Sequence, residues 1–403
     1  MKILFISDNF PPEVNAPANR TFEHCKEWVK NGVEVTVITC VPNFPKGKVY
    51  KGYKNKLIQK EEVEGIKVIR VWSYIAANEG FVKRILDYIS FSISSFIAGL
   101  LIKTDVIIAT SPQFFSAISG RWLSFFKRKP WIFEVRDLWP ESIIAVGAMK
   151  RNLFIKFFEK VELRLYKSAK KIIVVTDSFK SKIVYKGINQ NKIDVFKNGA
   201  NLELYFPCEK KLSILEQYNL QNKFVFAYVG THGMAHGLNF ILDSIVELEK
   251  TNPNFHFLFI GDGAERQNLI KQSRQLLLNN VTFIESVSKK DVVDYLNIAD
   301  VALVNLKKSE TFHTVIPSKI FEAAAMEKPI LLGLEGETKE IIENFNAGIT
   351  YLPENKKDFL NAVSEISKTE TYEQKRIGAK NLANAFERKK IALEMLLSIK
   401  NTK

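Results

Sequence analysis

Short runs of consecutive apolar residues recur along the chain, separated by stretches in which apolar positions fall every three or four residues. A run that is apolar at odd and even positions alike predicts a strand covered on both faces, and helical spacing between runs predicts the covering layers. In the first half the runs are 3–6, 34–39, 66–71, 106–110, 131–135 and 172–176, with a helix over 19–31 closed by Gly32. The pattern pauses at a linker around 198–207 and restarts with runs at 224–229, 255–260, 281–284, 301–306 and 330–332. Helices are predicted over 335–343 and 356–367, with a short strand at 349–351 between them. A long last helix, 372–400, is expected to bend near 381–384. The economical architecture is α/β, two consecutive doubly wound and mostly parallel sheets.

A chain of 403 residues, 46% hydrophobic and 25% charged, has the length and composition for two globular cores. Cys25, Cys40 and Cys208 are too few and too scattered for a disulfide framework or a metal cluster, which fits a reducing cytosol. The N-terminal MKILFISDNF reads as a strand whose apolar run is too short for a signal sequence.

Charge adds more. The net +14 is uneven: residues 1–200 hold 33 Lys/Arg against 18 Asp/Glu, and the remainder is nearly balanced. One domain is therefore expected to face something anionic. No nucleic-acid-binding motif accompanies the charge, so no nucleic-acid partner is expected. Instead, basic residues flank Phe, Leu and Trp at helical spacing in 81–103, 121–129 and 149–171. Such helices can lie on an anionic membrane surface, or their apolar faces can simply be core. Residues 86–102 resemble a membrane span in hydropathy, but Asp87 and four serines mark them as a buried or peripheral helix.

Candidate chemistry concentrates in 315–332, VIPSKIFEAAAMEKPILL. Ser318 can cap a short helix that follows a strand exit, and Lys319 and Glu322, three apart, share one of its faces. Open α/β sheets bind ligands at such exits, where a cation suits phosphate and a carboxylate suits a ribose diol. The alternative is a solvated Lys–Glu pair. Upstream, Gly230, Gly233 and Gly237 bound a strand-to-helix loop whose backbone N–H groups can approach a diphosphate, or which merely packs tightly. At the next strand exit, Gly261, Asp262 and Gly263 form a turn, and Arg266 begins a helix.

The Pro-X-Lys-X-X-Glu helix, followed by Ala-Met and Lys-Pro, resembles the nucleotide-sugar motif of family 4 retaining glycosyltransferases. That resemblance implies the GT-B architecture, two Rossmann-like domains facing a cleft, with the final helix crossing back to the first domain. The implied domains are 1–203 with 385–403, and 204–384. It also implies a UDP-sugar donor and no cofactor. It makes Arg266, beside a turn that lies by the nucleotide in family members, a phosphate contact, with a surface arginine as the alternative. No metal is expected. In keeping with this, no Asp-X-Asp occurs, and no histidine pair has ligand spacing.

The chain departs from the family pattern at several places. Thr231 and His236 stand where family members carry Arg and Lys in the glycine loop. Thr314 replaces a sugar-contacting Glu, with Glu310 and His313 nearby but out of register. The first-domain loop has Asn15 and Ala16 in place of two glycines; Asn15 tolerates left-handed backbone, and Arg20 beyond it could bind phosphate. Ser111-Pro112-Gln113 occupies the place of the usual histidine. Arg136–Asp137, in FEVRDLWPES, replaces a His-Asp and is either an ion pair fixing the loop or an acceptor-binding and acid/base pair. The catalytic candidates are thus Asp137, Arg136 and His236, with Asn15, Arg20 and Ser111 as a first-domain loop set.

The runs 42–72 and 174–201, with RDLWPES and PSKIFE, are similar to N-acetyl-L-fucosamine transferase-like enzymes of bacterial surface-polysaccharide assembly. The expectation is a cytoplasmic enzyme, peripheral on the inner face of the plasma membrane. It would move a hexose from a UDP-sugar to a polyprenyl-diphosphate-linked saccharide in O-antigen or capsule assembly. A UDP-sugar 2-epimerase of the same fold and a catalytically inactive scaffold at the membrane are the alternatives.

Overall fold

The computed structural model describes residues 1–44, 47–75, 81–111, 114–142 and 152–402. Pro112 and Gln113 of the loop singled out above, and residues 149–151 of the third basic segment, lie outside the described residues. Two compact units emerge, Met1–Lys197 with Arg388–Lys403, and Asn198–Glu387.

The first unit is built in chain order from β1 (Lys2–Ile6), α1 (Ala16–Lys30), β2 (Glu34–Cys40), β3 (Ile58–Val63), β4 (Ile66–Val71), α2 (Phe81–Leu100), β5 (Val106–Thr110), α3 (Phe114–Lys127), β6 (Trp131–Val135), α4 (Leu153–Ser168), β7 (Lys171–Val174), α5 (Asp177–Tyr185) and β8 (Ile193–Val195). The sheet order is β3-β4-β2-β1-β5-β6-β7-β8, parallel except for β3. β1 shows why the strands are continuously apolar. Leu4 and Ile6 pack on one side with Phe91, Phe114 and Leu123, and Ile3 and Phe5 pack on the other with Cys25 and Trp28. Helices thus cover both faces.

The second unit contains α6 (Leu212–Gln217), β9 (Phe224–Val229), α7 (Leu238–Thr251), β10 (Phe255–Ile260), α8 (Arg266–Gln275), β11 (Val281–Ile284), α9 (Lys289–Ile298), β12 (Val301–Asn305), α10 (Lys319–Ala325), β13 (Ile330–Gly333), α11 (Glu337–Asn344), β14 (Gly348–Thr350), α12 (Lys356–Ile366) and α13 (Thr369–Ala385). Its parallel sheet runs β11-β10-β9-β12-β13-β14. Phe226 and Tyr228 of β9 pack beside Leu238 and Ile241 of α7, whereas Val225 and Ala227 face Ile298 and Leu220.

The last helix is two helices. α13 continues through 381–384 because Leu382 and Ala383 are buried in the second unit. The break comes at Phe386–Glu387, where the Phe386 ring is held by Phe321 and Phe345 at 5.0 and 5.8 Å. α14 (Arg388–Lys400) then belongs to the first unit. There Trp28 Nε1 donates to the Ala392 carbonyl at 2.7 Å, and Met395, Leu396 and Ile399 join the core.

Candidate functional site

In the second unit the winding reverses at β9, with β10 on one side and β12 on the other. Loops leaving adjacent strands diverge at such a switch point and open a site at the carboxyl edge. Here the loops after β9 and β10 approach backbone to backbone. His232 N donates to the Asp262 carbonyl at 2.8 Å, and Glu265 N to the His232 carbonyl at 2.9 Å. Gly261 (φ 143°) and Gly263 (φ 155°) make this possible, since added Cβ atoms would lie 2.0 Å from Gly230 O and 2.5 Å from His232 O. Gly261→Ala should therefore destabilise the protein by about 1–3 kcal/mol or more, since the obstacle is backbone. An unchanged urea midpoint would contradict the close approach.

Four basic side chains gather beneath these loops. Lys319, the first residue of α10, lays its Nζ 4.0 Å from the Tyr228 ring centroid. Its stem reaches solvent, but the nitrogen is buried and has no hydrogen-bond partner among the described residues. Burial pushes its pKa down to about 7, with the Glu322 carboxylate opposing. Gly230 leaves room for the ammonium, because a Cβ there would stand 3.0 Å from Nζ. His232, 0% exposed, has both ring nitrogens unpartnered, and His236 has Nδ1 unpartnered. Their rings lie 5.8 Å from that of Tyr228. Burial, reinforced by Arg266 and Lys319 at His232 and by Lys319 at His236, lowers both to about 4, so both are neutral donors near neutral pH. Arg266 Nε, at the start of α8, is likewise buried and unpartnered.

Native proteins rarely leave so many buried polar atoms unsatisfied, and such clustering points to a ligand that is polar and rich in acceptors. The loop after β9 is fixed from below. Asn305 Nδ2 donates to the His236 carbonyl at 2.7 Å, while Tyr351 Oη donates to Asn305 Oδ1 at 2.8 Å. Gly237 adopts left-handed backbone at φ 58°, and Gly233 stays extended. Asp262 is exposed and caps its own turn by accepting from Gly263 N.

α10 carries Glu322 one turn beyond Lys319. Lys319 and Glu322 are thus not a solvated surface pair, since the ammonium is buried on an aromatic face. Ser318 occupies the cap position but makes no side-chain cap bond, because its own backbone is already helical (φ −60°, ψ −25°). In the preceding turn, His313 Nε2 lies 3.7 Å from Glu335, and Thr314 Oγ1 donates to the Thr311 carbonyl.

In the first unit the structure redraws several expectations. Arg20, 3% exposed, is not open to a phosphate. Its Nε pairs with Glu134 at 2.9 Å, and its guanidinium also donates to the carbonyls of Lys197 and Phe196. Burial would raise the Glu134 pKa, but Arg20 and Arg136 outweigh it and hold the carboxylate ionised. Asn15 is not left-handed; it is extended (φ −83°) and caps α1 by accepting from Ala18 N at 2.9 Å.

Arg136 and Asp137 do not pair with each other. Arg136 donates to the Pro17 carbonyl, and burial lowers its pKa to about 10. Asp137 accepts from Ser142 Oγ at 2.9 Å, and burial raises its pKa. Ser111 ties the two backbones together, its Oγ accepting from Arg136 N at 2.7 Å and Asp137 N at 3.1 Å. No group of three His, Cys, Asp or Glu side chains among the described residues could hold a metal ion.

Residues 15–199 match the family described as glycosyl transferase 4-like domain, and residues 211–382 match glycosyl transferases group 1. The chain is a two-domain glycosyltransferase of the GT-B fold. Among its relatives, the putative colanic acid biosynthesis glycosyl transferase WcaI of Escherichia coli is 25% identical over 359 residues, 86% of each chain. The probable glycosyltransferase WbjE of Pseudomonas aeruginosa is 26% identical over 54% of this chain and 55% of its own. Among solved structures, Anabaena Alr3699/HepE in complex with UDP superposes over 100% of both chains at a TM-score of 0.72 with 15% identity. In this glycosyltransferase the sequence motifs mark Lys319, Glu322 and Arg266, but not Tyr228 and His232. The one local signal for His232 is that it makes a second histidine inside the glycine loop, THGMAHG.

Proposed function

We propose that the enzyme transfers an N-acetylated hexose from a UDP-sugar to a polyprenyl-diphosphate-linked saccharide, with retention at the anomeric carbon. The observation that carries this reading is the group of unpartnered donors on Lys319, Arg266, His232 and His236, with Glu322 one helical turn away. A diphosphate supplies acceptors for the first group, and a ribose diol supplies donors for the carboxylate. The Anabaena Alr3699/HepE structures contain UDP and UDP-glucose, and WcaI is named for colanic acid biosynthesis, which supports both the donor class and the setting. The motif resemblance favours N-acetyl-L-fucosamine as the sugar.

In the transfer, an acceptor oxygen bonds to the anomeric carbon as the bond to the diphosphate breaks. The acceptor's proton passes to a leaving phosphate oxygen, so no separate base is required. Lys319 and Arg266 stabilise the charge that builds on that leaving group. Asp137 and Arg136 are assigned to the acceptor side. UDP binding tests the donor site. Glu322→Ala should weaken UDP by about 1.5–3 kcal/mol, the scale of a hydrogen bond to a charged group. Equal affinity by titration calorimetry would remove Glu322 from the site.

The acceptor's lipid implies a membrane face, and exposed apolar stripes in the first unit support one. Leu86, Ile89, Ile93, Ile97 and Leu100 line one side of α2, while Phe91, Ser95 and Ala98 are buried on the other. Trp122, Phe125 and Phe126 of α3 continue this stripe through a Phe96–Phe126 ring contact at 5.6 Å. Leu101 (82% exposed), Phe125 (71%) and Leu153 (83%) stand out furthest. Arg121, Arg128, Lys129, Lys156 and Lys160 are exposed on the same segments. No helix among the described residues is long and apolar enough to cross a membrane. A basic, aromatic surface of this kind suits peripheral docking on anionic lipid at the cytoplasmic face.

A further inference from the structure

The site described above holds one group whose surroundings match neither a surface lysine nor a lysine in a salt bridge. Lys319 Nζ is buried, makes no hydrogen bond among the described residues, and rests on the face of Tyr228 at 4.0 Å. The Tyr228 hydroxyl donates to the Thr231 carbonyl at 2.7 Å, which fixes the ring plane. The other buried polar atoms without a partner around it belong to donors or neutral rings: His232, His236 and Arg266 Nε. The charges facing the cluster are Arg266 and Asp262 from the loop after β10, Glu322 from α10, and Lys307 beyond Gly237. A ring face attracts an ammonium, but more weakly than water solvates it, so an empty site favours the amine. A diphosphate reverses that balance by placing formal negative charge within reach of Nζ.

Resting on the UDP-sugar reading, we infer that Tyr228, His232 and Lys319 form one proton-accepting diphosphate cradle. A proton taken from solvent completes the Lys319 ammonium as the nucleoside diphosphate binds. Tyr228 positions the amine, and the neutral His232 ring donates a hydrogen bond without adding charge. The step balances as amine plus proton plus anion giving an ammonium–diphosphate pair. The cradle thereby replaces the Arg and Lys that Thr231 and His236 displace from the glycine loop.

The test is calorimetric titration of the full chain with UDP at about pH 8, where UDP is already fully ionised because its last phosphate ionisation lies near 6. Runs in two amine buffers of different ionisation heat count the protons exchanged. The expected result is uptake approaching one proton with UDP and none with uridine. The dissociation constant should rise by up to about tenfold per pH unit above pH 7, as linkage requires. Lys319→Arg, permanently charged, should show no uptake. His232→Phe, which keeps the ring volume, should lose roughly tenfold for UDP and nothing for uridine, the value of one hydrogen bond to a charged group.

Equal heats in both buffers with a flat pH profile overturn the cradle and leave the donor assignment standing. Uptake that persists unchanged in Lys319→Arg moves the proton elsewhere and also overturns it. Unaltered UDP affinity in His232→Phe removes His232 from the site. No UDP binding at any pH overturns the donor reading itself.

Discussion

Replacing Lys319 by methionine is expected to lower kcat/KM for the UDP-sugar by roughly 100- to 1,000-fold, the usual cost of removing a preorganised donor to developing charge. The same change should leave stability equal or improved. Methionine fills the space of the lysine stem, and a buried amine that lacks a hydrogen-bond partner is replaced by an apolar group. Its pH signature is distinctive. The folded protein holds the Lys319 pKa at about 7 against an ordinary 10.5, so between those values the unfolded chain binds more protons. Stability from this group therefore rises with pH across that window, and the variant should lose that slope. Urea midpoints at several pH values, read beside steady-state kinetics, check both halves. Activity within tenfold of wild type, or a loss of stability matching the loss of activity, would contradict the assignment.

Serine at both Phe125 and Phe126 is expected to release the protein from anionic vesicles. Each ring is exposed in the free protein, and burying a phenylalanine contributes about 1.5–3 kcal/mol. Losing two such contacts lowers membrane partitioning by at least about 100-fold. The fold should be kept, because neither ring belongs to the buried core. High salt should release wild type only in part, because screening acts on Arg121 and Lys129 and not on inserted rings. UDP affinity, a property of the other unit, should not move. Vesicle flotation measures the effect. A wild type that floats with neither anionic nor neutral vesicles contradicts a membrane face.

The sequence made the sheets legible because doubly wound strands are apolar on both faces, and β9 to β13 all stand out for this reason. β3 escaped it. Its sequence IQKEEV is half solvated and pairs antiparallel with β4 as an edge strand, so no apolar run marks it. β8, three residues long at the other edge, is too short to show a period.

Local motifs found Lys319 and Glu322 because the helix spacing that pairs them is itself local, and Arg266 because it begins the helix after a strand exit. Tyr228 was invisible as a site residue, since a tyrosine in a buried strand looks like core. Only the fold brings Lys319, ninety-one positions later, onto its ring. Arg20 misled for the opposite reason. Its placement at a helix start suited a phosphate, but its partner Glu134 lies on a strand that the chain reaches 114 residues later.

Acceptor-dependent sugar transfer from a UDP-sugar is read out by the release of UDP. Purified protein would be incubated with each of several UDP-N-acetylhexosamines, with and without a polyprenyl-diphosphate-linked saccharide in anionic vesicles. UDP release is expected only when donor and lipid acceptor are both present, with an α-configured donor giving an α-linked product. Conversion of a UDP-sugar into another sugar nucleotide without acceptor, or no UDP release with any pair, would contradict it.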